Sequence, residues 1–179
     1  MITAESNKQN FNFLNPVKIL IVVSPYYKSI SDGLISGAMN ECKKYNTDVH
    51  TIEVPGALEI PLAIRIAFRK SNYDGFIALG CVIRGETSHY DTVCSDSSRG
   101  LMLLGIHGAN IGNGILTVEN MAQAEERADP KKLNKGGGAA TATLSLIHFE
   151  RTIIEKTNDV GFKSSKFLVD DTELGKGTG

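Results

Sequence analysis

Residues 75–91, GFIALGCVIRGETSHYD, carry the reading that decides the fold. The apolar run up to Ile83 has the composition of a strand buried on both faces. It stops at Arg84. Gly85, Thr87, Ser88, His89 and Asp91 then follow closely, and the next stretch, HYDTVCSDSSRGLMLLGIHG, is helical in its apolar spacing. A buried strand, a glycine turn and a helix form half of a βαβ unit.

The same alternation extends in both directions. Upstream, VKILIVVS (17–24) is a short, β-branched strand. YYKSISDGLISGAMNECKKY follows as a helix, with Ile30, Leu34, Ala38 and Cys42 at four-residue steps. DVHTIEV (48–54) alternates as a strand, Pro55-Gly56 breaks it, and ALEIPLAIRIAFRK reads as a helix with Pro61 in its first turn. Downstream, NGILTV is a fourth strand, ENMAQAEERA a short helix ended by Asp129-Pro130, and NKGGG a glycine-rich turn. A last helix is expected from about Ala139 to Lys156. Alternating strands and helices imply right-handed parallel crossovers, hence a four-stranded parallel sheet covered on both faces: an α/β/α three-layer sandwich. In such sheets ligands bind beyond the carboxyl ends of the strands. Tyr26, Pro55 to Glu59, Arg84 to His89 and Asn113 are expected to gather there.

With 179 residues, 41% hydrophobic and 22% charged, the chain fits one soluble globular domain. A single domain is expected over 15–158, preceded by a partly disordered arm (1–14) and followed by a flexible tail (159–179). The tail's DDTELGKGTG lacks a complete phosphate-loop pattern. The net charge of −1 gives no basic surplus for nucleic acid. There is neither a signal-peptide pattern nor an apolar run long enough to span a bilayer. Cys42, Cys81 and Cys94 are odd in number and lack CxxC spacing, which argues against disulfides and structural zinc and for a cytoplasmic setting. No metal is expected.

Each polar candidate has two readings. Gly85-Glu86-Thr87 before a helix N-terminus presents N–H groups and a dipole to an anion, or is an ordinary turn with a Thr or Ser cap. His89 is a proton carrier near neutral pH, or a surface histidine. His50, His107 and His148 read as structural. Arg127 is a bidentate phosphate ligand, or pairs with glutamates on its own helix. Lys135 contacts a ligand or caps a helix. Glu59 accepts from a polyol, or simply favours a helix start. Together they fit the binding of a small phosphorylated molecule and leave the reaction open.

The blocks VPGALEIP, LGCVIRGETSHYD, NGILTVENMAQAEERA and NKGGGAA, in this order over roughly residues 16 to 156, resemble lumazine synthase, the penultimate enzyme of riboflavin biosynthesis. The resemblance implies a flavodoxin-like fold. It also implies condensation of 5-amino-6-(ribitylamino)uracil with 3,4-dihydroxy-2-butanone 4-phosphate to 6,7-dimethyl-8-ribityllumazine, phosphate and water, without a cofactor. By the same resemblance, Gly85, Glu86, Thr87 and Arg127 hold the butanone phosphate and His89 transfers protons. Ala57, Leu58 and Glu59 contact the uracil and ribityl chain, and Cys81, Val82 and Ile83 line the pyrimidine. Asn113 lines the same pocket, Lys135 approaches the rings, and Tyr26 stands where the family places Phe or Trp, a phenol being able to stack as they do. Glu86 would use its backbone N–H, with its carboxylate turned away.

The resemblance also implies a homo-oligomer with active sites shared between adjacent subunits. Members are pentamers, decamers or 60-subunit shells. The turn that joins pentamers in the shells reads here DPKKLNKG. Pro130 denies a donor, and Leu133 stands where a glycine could take positive φ, so the turn is expected to differ in shape and leave a pentamer. Two other readings compete: a non-catalytic lumazine or flavin carrier, and the related pentameric riboflavin synthase, which would need no phosphate clamp.

Overall fold

The computed structural model describes residues 10–159, with side chains through Ile154. Its elements are β1 (Val17–Val23), α1 (Lys28–Cys42), β2 (Thr47–Glu53), α2 (Glu59–Lys70), β3 (Gly75–Ile83), α3 (His89–Ile106), β4 (Ile111–Val118), α4 (Met121–Ala128) and α5 (Lys135–Asp159). The chain divides into two compact units at Phe149/Glu150. Within the described residues the second unit is helical. The first unit carries the sheet. The expected tail (159–179) and the start of the expected arm lie almost wholly outside the described residues.

All strand pairs are parallel, in the order β2-β1-β3-β4. Alternation along the strands builds a core on each face of the sheet. Val17, Ile19, Ile21 and Val23 of β1, with Ile77 and Leu79 of β3, pack with Ile30, Leu34 and Ala38 of α1, Ala124 of α4 and Ala140 and Leu144 of α5. Leu20, Val22, Phe76 and Ala78 point the other way, onto Ile60 and Ile64 of α2 and Leu101 and Leu104 of α3. The three layers are therefore α1, α4 and α5, then the sheet, then α2 and α3. The order reverses between β1 and β3, one flanked by β2 and the other by β4, and this is the switch point at which open α/β sheets receive ligands.

The expected arm is partly anchored. Phe11 and Phe13 are buried, each ring packing against Tyr45 and His148. His148 thus serves packing. Among the described residues no helix is long and apolar enough to cross a membrane.

One local expectation is corrected. The last helix begins at Lys135, not Ala139, so the GGG triplet is helical. Glycine weakens isolated helices, but a Cβ at Gly136 would meet the backbone carbonyl of Leu34. Gly136 therefore lets α5 lie against α1. In the turn before it, Leu133 does not take the left-handed conformation; among described non-glycine residues only Asn134 does, at φ 45°. Asn tolerates that region, and its Oδ1 accepts from the Gly137 N–H at 3.1 Å. The turn is closed by the Lys132 and Asn134 N–H groups, which both bond to the Asp129 carbonyl.

Candidate active site

A cleft of about 290 Å³ opens at the switch point. Ser24, Tyr26 and Tyr27 come from the end of β1, Gly56 to Glu59 from the β2–α2 connection, Cys81 to Ile83 from β3, and His89 and Val93 from α3. Eight of the residues singled out from the sequence therefore meet in one place: Tyr26, Ala57, Leu58, Glu59, Cys81, Val82, Ile83 and His89. Gly56, within the Pro55 to Glu59 stretch expected at the strand ends, lines the cleft too; sequence reading missed Ser24, Tyr27 and Val93, whose only signal was their position at a strand end or one helical turn beyond His89.

The cleft has an apolar floor and a polar rim. Ala57 and Cys81 are buried, whereas Tyr26, Glu59 and His89 are exposed. The Tyr26 and Tyr27 rings stand edge to face, with centroids 5.0 Å apart. Burial, with Tyr26 alongside, raises the Tyr27 phenol above its usual value, and burial pushes the Cys81 thiol up to about 11. A thiol held neutral is a wall and not a nucleophile. The exposed Tyr26 ring offers a face for a flat heterocycle, and Glu59, in the first turn of α2, offers carboxylate oxygens to hydroxyls.

Gly85-Glu86-Thr87 follows β3 as an exposed loop at the mouth of α3. His89 is the first residue of α3, not a residue one turn in, and its N–H reaches the Thr87 hydroxyl at 3.4 Å. Ser88 makes no side-chain cap. Apart from that long contact to Thr87, no side chain caps the start of α3, an arrangement compatible with an anion. Arg84 holds the loop from both sides. It bonds to Glu119 beyond β4 at 2.8 Å and to Asp91 of α3 at 3.2 Å, and lies 4.1 Å over the Tyr90 ring. Those two ion pairs offset carboxylates that would otherwise repel an anion at Gly85.

Asn113, Arg127 and Lys135 do not join this cleft. They line a separate concavity of about 460 Å³ on the outer edge of β4, with Thr117, Gly138 and Ala142. Asn113 pairs with Ala78 in the middle of the sheet, not at a carboxyl end, and its Oδ1 accepts from the Ile115 N–H at 2.9 Å. Arg127 makes no ion pair to Glu on α4, the bland alternative. Its Nη1 donates to the Gln123 carbonyl at 3.1 Å. The concavity flanks the free edge of β4.

A doubly flanked parallel sheet and a switch-point cleft with an apolar floor and a polar rim, with an imidazole at a helix start on that rim, define an α/β enzyme fold with a small-molecule cleft. Residues 16–151 match the family model for 6,7-dimethyl-8-ribityllumazine synthase, and the chain belongs to that family. Relatives bearing that name include those of Jannaschia sp. (strain CCS1), 54% identical over 152 residues and 85% of each chain, and Novosphingobium aromaticivorans, 52% identical over 73% of this chain and 94% of the relative. Another, from Zymomonas mobilis subsp. mobilis, is 48% identical over 76% of this chain and 98% of the relative.

Proposed function

We infer that the chain is a transferase of riboflavin biosynthesis that condenses 5-amino-6-(ribitylamino)uracil with 3,4-dihydroxy-2-butanone 4-phosphate, giving 6,7-dimethyl-8-ribityllumazine, phosphate and water. The observation that carries this reading is the switch-point cleft, where the PGALE turn, the end of β3 and His89 converge. The pyrimidine lies against Tyr26 and the Cys81–Ile83 strand end, with its ribityl hydroxyls on Glu59. The phosphate sits over Gly85, Glu86 and Thr87 at the N-terminus of α3.

The 5-amino group attacks the butanone carbonyl, water leaves, and a Schiff base forms. Phosphate departs by elimination, and ring closure with loss of a second water completes the lumazine. His89 moves protons through these steps, a contribution of roughly 10²–10⁴-fold. Holding both substrates in register contributes up to about 7–11 kcal/mol in favourable cases. Apart from His89, the chain's work is therefore mainly positioning.

The remaining residues enter through assembly. Arg127, Asn113 and Lys135 line the β4-edge concavity and share no lining with the cleft. The same reading has each cleft completed by these residues from an adjacent copy. Leu62 and Ile66 of α2 and Met102, Leu103 and Ile106 of α3 are exposed apolar side chains available to such a contact. A heterologous interface of this kind closes into a ring, and we take the ring to be a pentamer in the cytoplasm. The argument for the pentamer is that Pro130 denies the connecting turn a donor and that Leu133 stays out of the left-handed conformation a glycine there could take.

Mixing both substrates with the protein and following lumazine fluorescence together with released phosphate tests the reaction. Product with stoichiometric phosphate is expected. Ligand bound without turnover would identify a carrier instead, and lumazine consumed without the butanone phosphate would identify a riboflavin synthase. Light scattering reads the assembly, and a mass near sixty subunits would overturn the argument from the turn.

A further inference from the structure

Ser24 is a buried polar residue at the base of the cleft, 2% exposed, and Ser31, 1% exposed, lies behind it in α1. Ser24 ties three elements together at the point where the chain leaves β1. Its N–H donates to the Leu79 carbonyl of β3 at 3.0 Å. Its Oγ donates to the Pro55 carbonyl of the β2–α2 connection at 3.3 Å. Its own carbonyl accepts from Ser31 Oγ at 2.9 Å, and that hydroxyl also faces the Tyr27 carbonyl at 3.2 Å. A serine in a first helical turn often bonds back four residues. Here the shorter contact goes instead to the carbonyl beyond the end of β1, which has no ladder partner in the sheet.

The two hydroxyls thus take over where the sheet's own hydrogen bonds stop. One side of the cleft is the Tyr26-Tyr27 corner, and the other is the Gly56 to Glu59 turn. The Ser31–Ser24–Pro55 relay is a side-chain tie between the two, below the ligand position. We propose that Ser24 and Ser31 are positioning residues that set the separation of these two walls, and thereby the affinity for the flat heterocyclic substrate, while leaving the phosphate substrate's site alone. The proposal rests on the condensation inferred above.

Ser24→Ala and Ser31→Ala separate the possibilities. Removing one partner of a buried hydrogen bond strands the carbonyl that remains. Backbone amides of residues 56–59 should therefore exchange faster with deuterium in Ser24→Ala than in the parent, with β1 and β3 amides unchanged. This arm needs no turnover, so it decides the structural half of the proposal even if the inferred reaction fails. In the assay with both substrates, KM for the pyrimidine should rise roughly five- to thirtyfold. KM for the butanone phosphate should stay within about twofold, because its loop is anchored separately by Arg84. Unchanged exchange at 56–59 would overturn the proposal. So would an equal rise in both KM values together with a lower Tm, which would mean general loosening of the fold. Absence of turnover in the parent protein would refute the condensation and not the tie.

Discussion

Crossing two damaged subunits puts the shared site to a quantitative test. His89 lies in the switch-point cleft and Arg127 in the β4-edge concavity, and no residue lines both. His89→Ala alone is expected to lose roughly 10²–10⁴-fold in activity. Arg127→Ala is expected to be comparably weak at low butanone phosphate, since one charge-assisted phosphate contact is lost. In a ring where each site takes its cleft from one copy and its arginine from the next, random 1:1 mixing pairs an intact cleft with an intact arginine at about one interface in four. Co-refolding the two variants should therefore restore about a quarter of the parent specific activity, far above either variant alone. The assay is lumazine fluorescence, with each variant carrying a different tag so that mixed rings are purified through both. A mixture whose activity equals the mean of the two separate variants would show that both residues act within one chain, and the shared site would be wrong.

The remaining predictions concern single groups. Arg127→Ala should raise KM for the butanone phosphate about ten- to a hundredfold and leave pyrimidine binding by titration unchanged; equal weakening of both ligands would contradict the role given to Arg127. Gly112→Ala should destabilise the protein by about 1–3 kcal/mol or more in denaturant melts, because the added Cβ would meet the Ala139 carbonyl of α5; Gly85→Ala has open space and should be near neutral in stability. Burial raises both Cys42 and Cys81 from 9.0 to about 11. The unfolded chain loses these protons first, so their contribution to stability is complete below about pH 9 and declines as the pH rises toward 11. Ellman titration at pH 8 should accordingly modify the partly exposed Cys94 well before the two buried thiols, and equal rates for all three would refute that ordering.

Much of this molecule is local and therefore legible along the chain. The period of the apolar residues is a property of each segment, so the four strands and the helices between them follow from VKILIVV, GFIALGCVI and their neighbours. The short motifs at strand ends carry the resemblance, and strand ends in a parallel sheet converge, so eight of the candidates were found together. What the chain alone did not yield depended on contacts between distant segments. GGG reads as a turn because glycine is a poor helix former in isolation, yet 136–138 is helical, and at Gly136 the α1 backbone lies too close for a side chain. The left-handed position in the preceding turn falls on Asn134 and not Leu133, a choice set by how α4 hands over to α5. Ser24 carried no signal in the sequence, and only the pairing of β1 with β2 brought the Pro55 carbonyl to its hydroxyl. Asn113, Arg127 and Lys135 were placed by motif beside the cleft, and the fold put them across β4 from it, because a strand's outer edge faces away from the switch point. Periodicity records which face of a segment is apolar; which segments touch, and which polar groups are thereby left to each other, is decided only when the chain closes on itself.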